Sequence, residues 1–232
     1  GARVLDTAAD TLEAVPAGVV VDLTQSIAAY AQRRPIPSMS FTVKSVARRL
    51  GAGTGSLGVD RYYVLVEGPS WDDDDDWILD VKIQAEPAPW AFLPPAARAL
   101  QAGHSGARVA SAERALLGVR ADPTAGWLDF RGSSCSVRSR SPRKDSLELS
   151  ELRSRSNLRE TANAWGRILA TAHARADSSA LISHSFDDAA HARIRYEGEA
   201  FRELVWQVAR EVADQVEADH RDLVAALAAR QP

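Results

Sequence analysis

From Phe41 onward, apolar and polar positions alternate over short runs punctuated by glycine: Phe41, Val43 and Val46, then Tyr62, Val64 and Val66, then the apolar residues that flank Lys82. A period of two reads as half-buried β-strand, and three strands are predicted, over 41–49, 61–67 and 77–83. Two shorter strands follow at 127–131 and 135–140, joined by Gly132, Ser133 and Ser134. Between these groups, 94–119 reads as helix in two pieces split by Gly103, His104, Ser105 and Gly106. The second piece, around 108–117, places Val109, Ala112 and Leu116 on one face and stops at Gly118.

Beyond Pro142 the apolar spacing becomes helical, over 147–152, 158–175 and 200–229, the last with Phe201, Leu204, Val208, Val212, Val216, Leu223 and Leu227 near helical period. Upstream, 7–34 also reads as helix, interrupted by Pro16 and Gly18 and stopped by Arg33-Arg34-Pro35-Ile36-Pro37. The pattern therefore predicts an α+β chain: a small antiparallel sheet with an associated helix, followed by a helical lobe. Its expected divisions are a helical lead-in at 1–40, a β-rich lobe with a glycine loop at 41–145, and a helical lobe at 146–232. Asp72 to Asp76 form a run of five acids that repel one another and read as a solvated hairpin tip, not a metal site.

Composition narrows the function classes. With 28 basic and 31 acidic residues, no global field draws the chain to nucleic acid or an anionic membrane. Cys135 is the only cysteine, so neither an intramolecular disulfide nor a multi-thiolate zinc site is available, and a reducing cytoplasm is the expected home. No secretory pattern opens the sequence and no apolar run is long enough to span a bilayer. The histidines, His104, His173, His184, His191 and His220, show no metal-ligand spacing, and no G-x-S-x-G elbow occurs. His173 sits in a helix beside Ile168, Leu169 and Ala172 and reads as a packed or capping residue. The middle of the chain is locally basic, with Arg131, Arg138, Arg140, Arg143, Lys144, Arg153, Arg155 and Arg159. It lacks interleaved aromatic residues, so a solvated or inter-lobe surface is expected over a nucleic-acid site.

The most informative stretch is Gly51-Ala52-Gly53-Thr54-Gly55-Ser56-Leu57-Gly58, in which Gly53, Gly55 and Gly58 satisfy G-x-G-x-x-G. A dinucleotide fingerprint needs a helix after the glycines, but a β-prone run follows. Strand, glycine loop and strand is the arrangement by which protein kinases cover nucleotide phosphates, and it calls for a lysine on the third strand. Lys82, between Val81 and Ile83, meets that requirement. A lysine on an apolar strand needs a carboxylate or phosphate partner, or else it guards a sheet edge. Glu113 on the following helix is the candidate carboxylate. Glu86 ranks lower because Pro87 places it in a loop. The expected nucleotide-binding set is Gly53, Gly55, Ser56, Gly58 and Lys82.

Taken in order, further segments add to these motifs. They are Val46-Ala47-Arg48-Arg49 before the glycines, Arg61-Tyr62-Tyr63-Val64-Leu65-Val66-Glu67-Gly68, Leu79-Asp80-Val81-Lys82, Pro142-Arg143-Lys144-Asp145, the run from Gly166 through His173 to Arg175, and Ala213-Asp214-Gln215 with Asp219. This series, over about 41–225, resembles the C-terminal portion of the bacterial domain-of-unknown-function family 2252. The resemblance implies a protein-kinase-like fold in permuted order, with a G-D-x-H-x-x-N-like catalytic loop and metal-binding aspartates ahead of the glycine loop. Neither motif occurs in this sequence, and Gln84 stands close after Lys82 where the family tends to carry glutamate right after the lysine. The implied function is nucleotide binding, with ATP and magnesium as the cofactors of a phosphotransferase whose complementary N-terminal half is a partner. This chain alone is expected to be inactive. The alternative is a non-catalytic interaction module or a truncated pseudokinase-like protein.

Overall fold

The computed structural model describes residues 3–8, 10–37, 39–51, 58–70, 72–100, 103–141, 147–177 and 185–229. Six strands, β1 (Leu12–Ala14), β2 (Val43–Arg49), β3 (Arg61–Val66), β4 (Trp77–Ile83), β5 (Gly126–Phe130) and β6 (Ser133–Ser139), form one antiparallel sheet in the order β1-β2-β3-β4-β6-β5. Helices α1 (Ala17–Arg33), α2 (Pro95–Leu100), α3 (Ser105–Leu117), α4 (Arg155–Ala176) and α5 (Phe186–Ala228) complete the chain. The α+β class and the small antiparallel sheet followed by helices are as the pattern predicts. The chain divides into two compact units, 1–176 and 177–232.

Alternation sorts the sheet into two faces. On one, Tyr62, Val64 and Val66 of β3, Leu79 and Val81 of β4, Leu128 and Phe130 of β5, and Cys135 and Val137 of β6 are buried against Val19, Leu23, Ile27 and Tyr30 of α1. Each large apolar side chain so covered contributes about 1.5–3 kcal/mol. The Tyr30 hydroxyl donates to the Thr124 carbonyl at 2.6 Å, and its ring meets Phe41 edge-on at 5.6 Å. Burial pushes the Cys135 thiol up to about 12, which leaves it an inert core group. The two-residue turn between β5 and β6 has φ of 49° at Arg131 and 77° at Gly132, the conformation that closes tight hairpins.

The other face is polar and carries α3. That helix comes close because Gly106 has no side chain: a Cβ there would stand 2.1 Å from the Cys135 carbonyl oxygen. His104 caps its start, with Nδ1 accepting from the Ala107 amide at 3.0 Å and Nε2 lying 3.2 Å from Asp129 Oδ1.

Three elements depart from the sequence pattern. Helix does not run through 7–34: Leu12–Ala14 pairs with the edge of β2, Leu12 opposite Arg49, and helix starts only after Pro16. Edge pairing overrides local propensity there. Of 147–152 only Leu149–Glu151 turns, as a single 3-10 turn. The last helix begins at Phe186, earlier than its apolar period, and is broken at Glu197, whose φ and ψ are −132° and 30°.

The acidic run is more ordered than a solvated tip. Asp73–Asp75 form a 3-10 turn capped by Asp72, and Asp76 has no exposed side-chain surface. Lys44 explains the order: its Nζ lies 2.8 Å from Asp76, 3.0 Å from Asp73 and 3.1 Å from Glu67. One cation thus offsets the repulsion that the sequence alone exposes. The Asp76 hydrogen bond leads in holding the Lys44 ammonium above the usual lysine range, and the Lys44 hydrogen bond holds the Asp73 carboxyl below the usual aspartate range. A group depressed in this way stabilises the fold above its unfolded pKa, and the contribution is lost as pH falls through the folded value. Lys44→Met is therefore expected to lower Tm at pH 7. The Tm gap to the unsubstituted protein should close as pH falls below the ordinary aspartate pKa of about 3.9, measured by melting both proteins across pH 2–7.

Candidate functional site

The segment 51–58 joins β2 to β3. Gly53, Gly55 and Ser56 lie outside the described residues. Gly58 is described, with φ of 74°, and Gly51 at the other end of the segment has φ of 60°. Both values fall in the left-handed region that glycine adopts without steric cost, so each described end of the segment is a glycine.

Next to these ends, the strand register builds a row across the polar face. Arg61 stands opposite Lys82, Lys82 opposite Ser136, and Ser136 opposite Trp127. The pairing of Arg48 with Tyr62 brings Arg49 to the next place in the same row. The second row runs Tyr63, Asp80, Arg138, and the third Leu65, Ile78, with Arg140 just past β6 donating its amide to Ile78 at 2.7 Å. Like charges directly opposite one another on a sheet destabilise it, yet Arg61 and Lys82 are so placed.

Asp80 supplies the counter-charge for part of this face. It is 5% exposed, and Arg61 engages it with both nitrogens of the fork, Nε at 2.6 Å from Oδ1 and Nη2 on Oδ2. Arg138 Nε lies 3.6 Å from the same Oδ2. Lys82 has no such relief: its ammonium makes neither a hydrogen bond nor an ion pair among the described residues.

Lys82 and Glu113 do reach one cleft, of about 260 Å³, between α3 and the sheet, with Gln84 and Ser136 at its wall. Gln84 Nε2 donates to Ser136 Oγ at 2.8 Å. The two candidates do not touch, so the sequence-expected lysine partner is a neighbour in the cleft and not an ion-pair partner. Burial raises the Glu113 carboxyl above the usual range; Arg138 works against the shift, and Asp122 and Asp80 add to it. Glu86 is exposed in the segment after β4. His173 lies on an exposed position of α4. Of the basic stretch, Arg138 and Arg140 join the polar face, Arg131 pairs with Asp22 at 2.7 Å, and Arg143 and Lys144 lie outside the described residues. No group of three or more side chains able to hold a metal ion occurs among the described residues.

Arg61, Asp80, Arg138 and Arg140 were not among the expected site residues. Their signal was present as period-two spacing, Arg61 and Tyr63 on β3, Asp80 and Lys82 on β4, Ser136, Arg138 and Arg140 along β6. It becomes a site only when strands distant in sequence are aligned.

The sequence model of the family described as "Uncharacterized protein conserved in bacteria (DUF2252)" matches residues 3–226. Neither a curated protein nor a solved structure matches the chain.

The geometry makes Asp80 the charge on which the polar face balances. Asp80→Asn is expected to cost about 3 kcal/mol, since removing one partner of a buried ion pair strands the other charge, here a guanidinium 16% exposed. Chemical denaturation would read this as a lower midpoint with an unchanged slope.

Proposed function

The chain belongs to the DUF2252 family, and we propose that its first unit is a kinase-like nucleotide-binding lobe whose polar sheet face receives the phosphates of ATP. The carrying observation is the unpaired Lys82 in a cation row beside the described ends of the glycine segment. An ammonium set opposite a guanidinium, with no carboxylate of its own, lacks a counter-ion that a phosphate would supply. The order of elements agrees with this reading: strand, glycine segment, strand, a lysine-bearing strand, then a helix that carries a glutamate to the same cleft. Gly53, Gly55, Ser56 and Gly58 would approach the phosphates through their backbone amides.

Magnesium fits this cleft poorly. Asp80 is committed to Arg61 and Arg138, and Glu113 is an acid whose charge burial disfavours. The metal-binding aspartates and the catalytic loop that the family resemblance implies would come from a complementary N-terminal half. On this reading the chain binds nucleotide and does not turn it over alone. A second reading, a non-catalytic interaction module, draws support from α5, where Leu204, Val208, Val212 and Val216 are each about half exposed.

With a millimolar dissociation constant, ATP at about five times that concentration should stabilise the fold by about 1 kcal/mol, or roughly 3 °C in Tm for a chain of this size. Lys82→Ala should remove most of the shift, and no ATP hydrolysis should be measurable. An undiminished shift in Lys82→Ala would mean that the lysine is structural and would put the interaction module in front. Robust turnover would overturn the incomplete-enzyme reading.

A further inference from the structure

The polar face carries more cations than the nucleotide reading uses. Beside the Lys82 cleft opens a second, of about 600 Å³, in which four guanidinium groups, Arg49, Arg61, Arg138 and Arg140, face one carboxylate, Asp80. Asp80 is already shared between Arg61 and Arg138. Arg49 donates to the Thr11 carbonyl at 3.0 Å, which fixes its direction without neutralising it. Arg140 lies over the Tyr63 ring, 5.7 Å from its centre, and has no carboxylate partner among the described residues.

Arg138 and Arg140 are exposed, and each keeps one contact with the sheet face. Arg140 is anchored by its ring contact and by its backbone bond to Ile78, and Arg138 follows the register of β6 opposite Asp80. Their Cα atoms are two residues apart, Arg140 just past the end of β6, about 7 Å. Guanidinium forks in a concavity with uncompensated positive charge favour anions that accept two hydrogen bonds at once, above all phosphoryl groups. Arg140 is aligned with Ile78, four residues from Lys82 along β4 and so about 13 Å away. Lys82 lines only the first cleft and Arg140 only the second, while Arg61, Asp80 and Arg138 line both.

We propose that Arg140, with Arg138 and the Tyr63 ring, forms a second anion subsite that binds the phosphoryl group of a small phosphate ester or diphosphate, adjoining the Lys82 cleft and sharing Arg138 with it. In the phosphotransferase reading, on which only this assignment of role rests, the subsite holds the acceptor or product and not the nucleotide.

Isothermal titration of the whole chain with inorganic pyrophosphate tests the subsite apart from any nucleotide. Arg138→Gln with Arg140→Gln should weaken binding about ten-fold, a loss of about 1.4 kcal/mol. It should also flatten the dependence on salt. Lys82→Ala should change affinity less than about three-fold. The opposite pattern, loss in Lys82→Ala with the arginine pair indifferent, would overturn the proposal, as would no pyrophosphate binding by the unsubstituted chain. If the double variant loses its cooperative melt, Arg140→Gln alone must still weaken binding, because that side chain leaves the Asp80 pair intact. Pyrophosphate binding that needs the arginines, alongside an absent ATP shift, would sink the nucleotide reading and leave this subsite standing.

Discussion

The strand pleat sends successive side chains to opposite faces of the sheet, and in this protein that single constraint sets both the stability and the chemistry. Leu79 and Val81 cannot be buried under α1 without Asp80 and Lys82 emerging on the far side. The same holds for Val137 against Ser136 and Arg138, and for Tyr62 and Val64 against Arg61 and Tyr63. A slip of one residue in any central pair would drive charges into the apolar layer. The hydrophobic face therefore fixes the register, and the register assembles the polar face with no further instruction from local sequence.

Electrostatics then divides that face into settled and unsettled parts. Asp80 and Arg61 satisfy each other with two hydrogen bonds, and a buried carboxylate is tolerable only on such terms. Lys44 does the equivalent for Glu67, Asp73 and Asp76 on the loop between β3 and β4. Lys82, Arg49 and Arg140 have no equivalent carboxylate among the described residues, although cations and acids are nearly balanced over the whole chain. The imbalance is local, which is why net charge gave no hint of it.

The fold class was legible because its signal is periodic and local: period two through 41–83 and 127–140, helical spacing afterwards. Lys82, the glycine segment and Glu113 were read as one set because a kinase-like order supplied the template; of these, Lys82 and Glu113 line a common cleft. What stayed hidden depended on long-range pairing. Leu12–Ala14 has no strand pattern of its own and becomes a strand by pairing with the free edge of β2. The acidic run looked self-repelling because its counter-ion, Lys44, lies 28 residues before Asp72 in the sequence. Arg61, Asp80, Arg138 and Arg140 sit on three strands, and nothing local marks them as neighbours.

The lack of contact between Lys82 and Glu113 follows from how α3 is seated. Its first turn is locked to β6 at Gly106, where no room for a Cβ remains, and His104 fixes its start. Glu113 lies seven residues further on, about 10 Å along the axis, at a place set by that anchor and not by attraction to Lys82. Were the two to pair, the ammonium would be neutralised internally and the cation row would lose much of its pull on a ligand. Held apart, Lys82 has no carboxylate partner among the described residues, while burial raises the Glu113 carboxyl above its usual range. Under the nucleotide proposal, that separation would leave the ammonium open to a phosphate.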